Sequence, residues 1–298
     1  MPMNAFKTDF DNTQAEVLSI DAQWLSLFEA RASGVRMANN RQQAARAMST
    51  QEVKRGVAVM SIRGPLVYSG SIWSELFGLP DYETIGRALD QVVADESIET
   101  LLLRIQSPGG TAFGASELAN KIYKARDSKR IVAFADPYAF SAAYWLASAA
   151  SEIYTIPSGM VGSVGAYAMH VDYSGSLEKE GVKVSFIQAG EKKTDGNSYE
   201  PLSERARADI QAEVDRFYNL FVSDVALFRG TIVEDVTENF GKGARVMSKE
   251  ALHNGMINGI SSFEALVAKE LSAVSEASLM ASSKAFIERQ KLMLSLED

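Results

Sequence analysis

From Gly56 to Ile187 short apolar runs alternate with stretches of helical spacing, and this alternation restricts the fold more than any other property of the chain. The runs are Gly56-Val-Ala-Val-Met-Ser-Ile62, Thr100-Leu-Leu-Leu-Arg-Ile105, Arg130-Ile-Val-Ala-Phe-Ala135, Glu152-Ile-Tyr-Thr-Ile156 and Val182-Lys-Val-Ser-Phe-Ile187. Each has the length and β-branched or aromatic content of a strand. Between them lie the amphipathic stretch Tyr82 to Ala94, a second from Ala115 to Ala125, and a helix closing over Leu177 to Glu180. Strands joined through helices imply an α/β chain with a largely parallel, right-handed βαβ sheet.

The flanks read differently. Residues 1–55 are expected to be a helical N-terminal extension: Met1 to Thr13 is polar, Ile20 to Ala30 has helical spacing behind Asp21 as N-cap, and Arg36 to Lys54 reads as a solvated helix or linker. Residues 56–271 form the catalytic-domain candidate, closing with a long helix from Pro201 to Phe228, a short one at Ala251 to Gly259 and another from Phe263 to Leu271. Residues 272–298, rich in Ala, Ser, Glu and Lys, are expected to be a helical or disordered tail.

Composition removes several kinds of chemistry. A formal net charge of −8 leaves no basic stripe to neutralise phosphates, so no nucleic-acid partner is expected. With no cysteine, thiol catalysis and Cys-ligated zinc are excluded. The two histidines, His170 and His253, stand far apart in sequence, so no metal and no cofactor are expected. No apolar run reaches the ~18 residues of a membrane helix, and the N-terminus lacks a charged-then-apolar pattern. A cytoplasmic protein without a membrane anchor is the expectation.

Catalytic groups of parallel α/β proteins collect beyond the carboxyl ends of strands. Three loops leave strands in that way: Gln106–Gly110, Asp136–Ser141, and Ala189–Gly196, which carries Lys192 and Lys193. Ser141 falls where the Arg130 strand breaks at Pro137 and the small-and-aromatic helix Ala142-Ala-Tyr-Trp-Leu-Ala begins. A plain helix N-cap is the ordinary reading of such a serine. Together, though, the three loops supply an exposed hydroxyl, backbone N–H groups with no Cβ in front of them, and amines. Those are the parts of acyl transfer.

Ser107-Pro-Gly-Gly110, Phe140-Ser141-Ala-Ala-Tyr-Trp-Leu-Ala, Gly162-Ser163-Val-Gly165 and Gly190-Glu-Lys-Lys193-Thr-Asp-Gly-Asn197 resemble the S49 signal-peptide-peptidase family of serine proteases. The resemblance covers about Gly56 to Leu271 and is strongest to the phage head-maturation branch, which includes protein C of lambdoid phages. It rests there on Ala189 to Tyr199, on Leu202-Ser-Glu-Arg and on Gly64-Pro65-Leu-Val. It implies a Clp/crotonase-like parallel-sheet superhelix with helical extensions at both ends.

By the same resemblance Ser141 is the nucleophile and Lys193, 52 residues later, its general base, with Lys192 an adjacent candidate. Ser163 orients the lysine amine, and the N–H groups of Gly110 and Ala142 form the oxyanion hole. Gly109, Val161, Gly162 and Val164 contact an extended substrate, with Met160 and Ala166 beside them. For these apolar residues a core strand is an equal alternative. The implied partners are protein substrates (scaffold, portal or other head proteins) and further copies of the chain in a self-compartmentalising homo-oligomer. The implied location is the host cytoplasm or prohead interior.

A lysine ordinarily titrates at roughly 10.4, so the scheme needs Lys193 desolvated beside Ser141, and Glu191 and Asp195 oppose it by favouring the ammonium. Four other readings remain. His170, 29 residues after Ser141, could serve a Ser-His-Asp triad. A crotonase-like acyl-CoA enzyme would use the Gly-rich loops without a nucleophile. The chain could equally be a cytosolic signal-peptide-peptidase-like protease of a bacterium, or a catalytically silent assembly scaffold.

Overall fold

The computed structural model describes residues 17–20, 48–54, 56–68 and 79–294. In chain order these form β1 (Leu18–Ile20), β2 (Met48–Lys54), β3 (Val57–Arg63), α1 (Tyr82–Ala94), β4 (Thr100–Ser107), β5 (Gly109–Thr111) and α2 (Ala115–Ala125). Next come β6 (Arg130–Phe140), α3 (Ala142–Ser148), β7 (Glu152–Thr155), β8 (Met160–Gly162), α4 (Ser174–Lys179) and α5 (Glu204–Arg229). The chain closes with α6 (Val233–Asn239), β9 (Arg245–Met247), α7 (Ser248–His253), β10 (Gly259–Ile260) and α8 (Phe263–Leu294).

The α/β class expected from the alternation is what forms. An eight-stranded sheet runs β10-β7-β6-β4-β3-β2, with β8 on β6 and β9 on β8. Within this sheet the ladders joining β3, β4, β6, β7, β8 and β10 are parallel, while β2–β3 and β8–β9 are antiparallel, as is the separate pair β1–β5. Alternation along each strand sorts side chains to two faces. Ala58, Met60 and Ile62 of β3 join a large core with α1, α2, α3 and α5, while Val57 and Val59 face Leu266 and Val274 of α8.

Three stretches differ from the sequence expectation. Met48–Lys54, read as helix or linker, is an antiparallel strand against β3. Helical spacing is ambiguous in a short polar run, and the exposed edge of β3 decides it. The strand ending expected at Pro137 does not occur, and β6 continues to Phe140. Its ladder to β4 passes from Ile105↔Ala135 to Ser107↔Ala139, so Pro137 falls in an irregularity where no ladder N–H is required. Val182–Ile187 is not a strand: Val182, Val184, Phe186 and Ile187 are exposed, Ile187 completely so, and no described strand pairs with them. The alternation is strand-like, but a strand needs a partner edge. The helix expected over Ile20 to Ala30 falls mostly on residues outside those described, although Ile20 itself ends β1. Among the described residues no helix is long and apolar enough to cross a membrane.

Candidate active site

β6 delivers Ser141 to the carboxyl end of the central sheet. Phe140, its last residue, pairs with Gly162 of β8, and the Ser141 N–H donates to the Gly162 carbonyl at 2.7 Å. Ser141 then adopts φ 53° and ψ −124°, a sparsely populated positive-φ conformation that costs a non-glycine residue about 1–3 kcal/mol. Its surroundings hold it there. The Ser141 carbonyl accepts from Trp145 N at 2.9 Å. Trp145 stacks on Phe221 of α5 at 4.3 Å and donates Nε1–H to Asp224 at 2.9 Å. Asp224 also accepts from Ser116 of α2 at 2.6 Å, so α2, α3 and α5 are tied to one carboxylate. All seven residues of α3 are buried.

The plain N-cap reading of Ser141 does not hold, because its side chain makes no capping hydrogen bond to α3. Its hydroxyl lies 3.4 Å from the Gly165 carbonyl, a long contact, and the residue is 1% exposed. Ala142 follows as the first residue of α3, fully buried.

Gly110 is a glycine for a packing reason: a Cβ there would overlap the Leu66 carbonyl. Leu66 N–H donates to the Gly109 carbonyl at 2.8 Å, and Thr111 N–H donates to the Leu66 carbonyl at 3.1 Å. Peptide groups alternate along a strand, so Gly110 turns its N–H to the opposite edge. Along that edge lies β1, antiparallel, with Ser19 opposite Gly110. Ser107 pairs with Ala139, two residues before Ser141, so the Gly109–Gly110 strand and the serine lie at the same end of the sheet.

Ser163, for which the family resemblance implies a role in orienting the base, is also at positive φ (55°) and 9% exposed, its N–H bound to the Ala244 carbonyl at 2.8 Å. Gly162 has φ 102°. Val161 and Val164 are buried in the main core, Met160 and Ala166 half-buried.

The lysine loop lies elsewhere. After α4 the chain has no regular structure until α5, and the loop docks on the first turns of that helix. Lys192 pairs with Asp209 at 2.6 Å, while Arg205 holds Glu191 at 2.5 Å and Asp195 at 2.9 Å. Asp209 is twelve residues before Phe221, roughly 18 Å along the helix from the Trp145 stack. Lys193 is exposed, and among the described residues its amine makes no hydrogen bond or ion pair, with Ser141 or otherwise. His170 Nε2 contacts the Asn197 carbonyl at 2.9 Å, so its ring is bound to this same loop. Among the described residues no group of acidic or histidine side chains has the arrangement of a metal site.

Sequence reasoning places Ser141 between a strand and a helix, as in the structure, and reads Gln106–Gly110 as a loop, whereas Gly109–Thr111 is β5. It misses β1, whose only signal is the short run Val17-Leu-Ser-Ile20, and the carbonyl of Leu66 that makes Gly110 obligatory.

Residues 124–275, just over half of the chain, match the family model described as peptidase family S49. The chain is 37% identical over 185 residues to the head-tail preconnector protein GP5 of Enterobacteria phage P21, covering 62% of this chain and 37% of that protein. It is 32% identical over 205 residues to the capsid assembly protease C of Escherichia phage lambda, covering 69% of this chain and 46% of the relative. The chain thus spans less than half the length of either. Among solved structures, an enoyl-CoA hydratase from Shewanella pealeana superposes with a TM-score of 0.47 at 12% identity, covering 80% of this chain and 78% of that one.

Proposed function

The chain belongs to peptidase family S49, and from that we propose that it is a serine endopeptidase with Ser141 as nucleophile and Lys193 as general base, acting on head proteins during phage capsid maturation. The observation that carries the reading is Ser141 itself. A buried serine is held at positive φ by a stacked, hydrogen-bonded helix, and its hydroxyl is not used to cap that helix.

In this scheme neutral Lys193 accepts the Ser141 Oγ proton as the oxygen attacks the substrate carbonyl. The Gly110 and Ala142 N–H groups receive the oxyanion, and Lys193 returns the proton to the leaving amine. Water then hydrolyses the acyl-enzyme. Pairing within the loop favours Lys193 over its neighbour, because the Lys192 amine is already engaged by Asp209. Glu191 and Asp195, the carboxylates that would keep Lys193 charged, are engaged by Arg205. A lysine base has to be withdrawn from water and Lys193 is exposed, so the base is completed when a second copy or bound polypeptide covers the arm that carries it. The exposed Val184, Phe186 and Ile187 on that arm fit such covering. The names of the phage relatives, a head-tail preconnector protein and a capsid assembly protease, support a role in head assembly, with scaffold and portal proteins as the proposed substrates.

The test is hydrolysis of casein and short peptides by the wild type and by Ser141→Ala, Lys193→Ala, Lys192→Ala and His170→Ala. Loss of at least about 10³-fold for the first two, with the last two within about threefold, is the expected pattern. A requirement for His170 with Lys193 dispensable would replace the dyad by a triad.

A further inference from the structure

β1 stands apart from the main sheet and is held on both edges. On one side Ala112 N–H donates to the Val17 carbonyl at 3.2 Å. On the other, Leu18 N–H donates to the Tyr167 carbonyl at 2.8 Å, and Tyr167 N–H donates to the Leu18 carbonyl at 3.0 Å. Antiparallel ladders alternate, so Val17 and Ser19 face β5 while Leu18 faces Tyr167. After Val17–Ala112 the next hydrogen-bonded pair is Ser19–Gly110, which directs the Ser19 carbonyl at the Gly110 N–H. β1 runs from Ala112 toward Gly109, placing the bond after Ser19 at the end of β5 nearer Ser107 and Ala139. Val17 is completely buried.

A short extended segment inserted between two backbone edges and anchored by a buried side chain, here Val17, is how proteins bind peptides by strand addition. Here the donor that the segment meets is the one assigned to the oxyanion of a substrate. We propose that Val17–Ile20 fills the substrate cleft of its own chain in substrate register. An incoming polypeptide must displace it, and the cleft takes an extended peptide with a branched aliphatic residue two positions before the residue whose carbonyl faces Gly110. The proposal rests on the peptidase reading for the role of Gly110, but the occupancy is measurable without catalysis.

The probe is a fluorescein-labelled peptide of residues 14–23 (Gln-Ala-Glu-Val-Leu-Ser-Ile-Asp-Ala-Gln), added to the full chain carrying Ser141→Ala and followed by fluorescence anisotropy. Filling in cis lowers apparent affinity by the fraction of open cleft. Adding Leu18→Pro removes the N–H given to Tyr167, and adding Val17→Asp removes the buried anchor. Each is expected to tighten peptide binding about tenfold or more, while Asp at the valine of the peptide abolishes it. Two variants acting at different contacts, each checked for an intact thermal transition, separate cleft opening from misfolding. Equal affinities with and without the substitutions, or no binding by any form, would overturn the proposal. If the Ser141-intact chain hydrolyses nothing while the affinity difference holds, the peptidase reading falls and the occupancy stands. Hydrolysis with no affinity difference means the reverse.

Discussion

At the scale of single residues, the site is built from backbone conformations that side-chain identity only partly announces. Ser141 and Ser163 both take positive φ, where glycine is the usual occupant, and each is fixed by a short backbone hydrogen bond, to Gly162 and to Ala244. Gly110 is the converse: its identity follows from the Leu66 carbonyl, which leaves no room for a Cβ. Gly110→Ala must therefore push β5 from Leu66. We expect hydrolysis to fall by about 10²-fold or more, the cost of misplacing an oxyanion donor, together with a lower thermal midpoint. Unchanged kinetics would remove Gly110 from the oxyanion hole.

At the scale of elements, β3, β4, β6 and β7 were legible as short apolar runs, and α1, α2 and α5 because their apolar spacing is regular, but β4 and β6 end later than expected and the loop Ala189–Gly196 follows no strand. Elements that depend on a distant edge were not legible. Met48–Lys54 is a strand because β3 offers an edge, and Val182–Ile187, which looks more like a strand, has none among the described residues. α8 shows how an element is fixed by charge as well as packing. Glu270, 1% exposed, takes two hydrogen bonds from Arg130 of β6, and Arg130 also pairs with Glu152 of β7 at 3.0 Å. Arg104 of β4 lies over Phe263 at 4.3 Å. Burial pushes the Glu152 carboxyl up, but hydrogen bonds from Tyr154 and Arg130 and the charges of Arg130 and Lys269 outweigh it and hold the group at about 2. A depressed carboxylate contributes stability above its ordinary value of 4.5 and loses it as pH falls through about 2. Thermal melts across that window are expected to show a loss of order 1–3 kcal/mol, reduced in Glu152→Gln. Equal slopes for the two proteins would detach the acid sensitivity from this cluster.

At the scale of the whole molecule, Ser141 and Gly110 are positioned by the folded body, whereas Lys193 lies on an exposed arm that the isolated chain leaves in water. If covering that arm completes the base, specific activity rises with protein concentration as copies associate, and Phe186→Asp weakens both association and hydrolysis. Sedimentation alongside rate measurements checks this; activity independent of concentration in a monomer would place the base within one chain. The sequence by itself determined the α/β class, the cores of β3, β4, β6 and β7, and the place of Ser141 between a strand and a helix, because these follow from local periodicity and turn chemistry. Only the tertiary structure decided the backbone strain at Ser141, the close approach of Leu66 to Gly110, the pairings that separate Lys193 from Lys192, and the insertion of Val17–Ile20 beside Gly110. Each of these depends on which edges and charges meet across long sequence separations, and no local pattern carries that information.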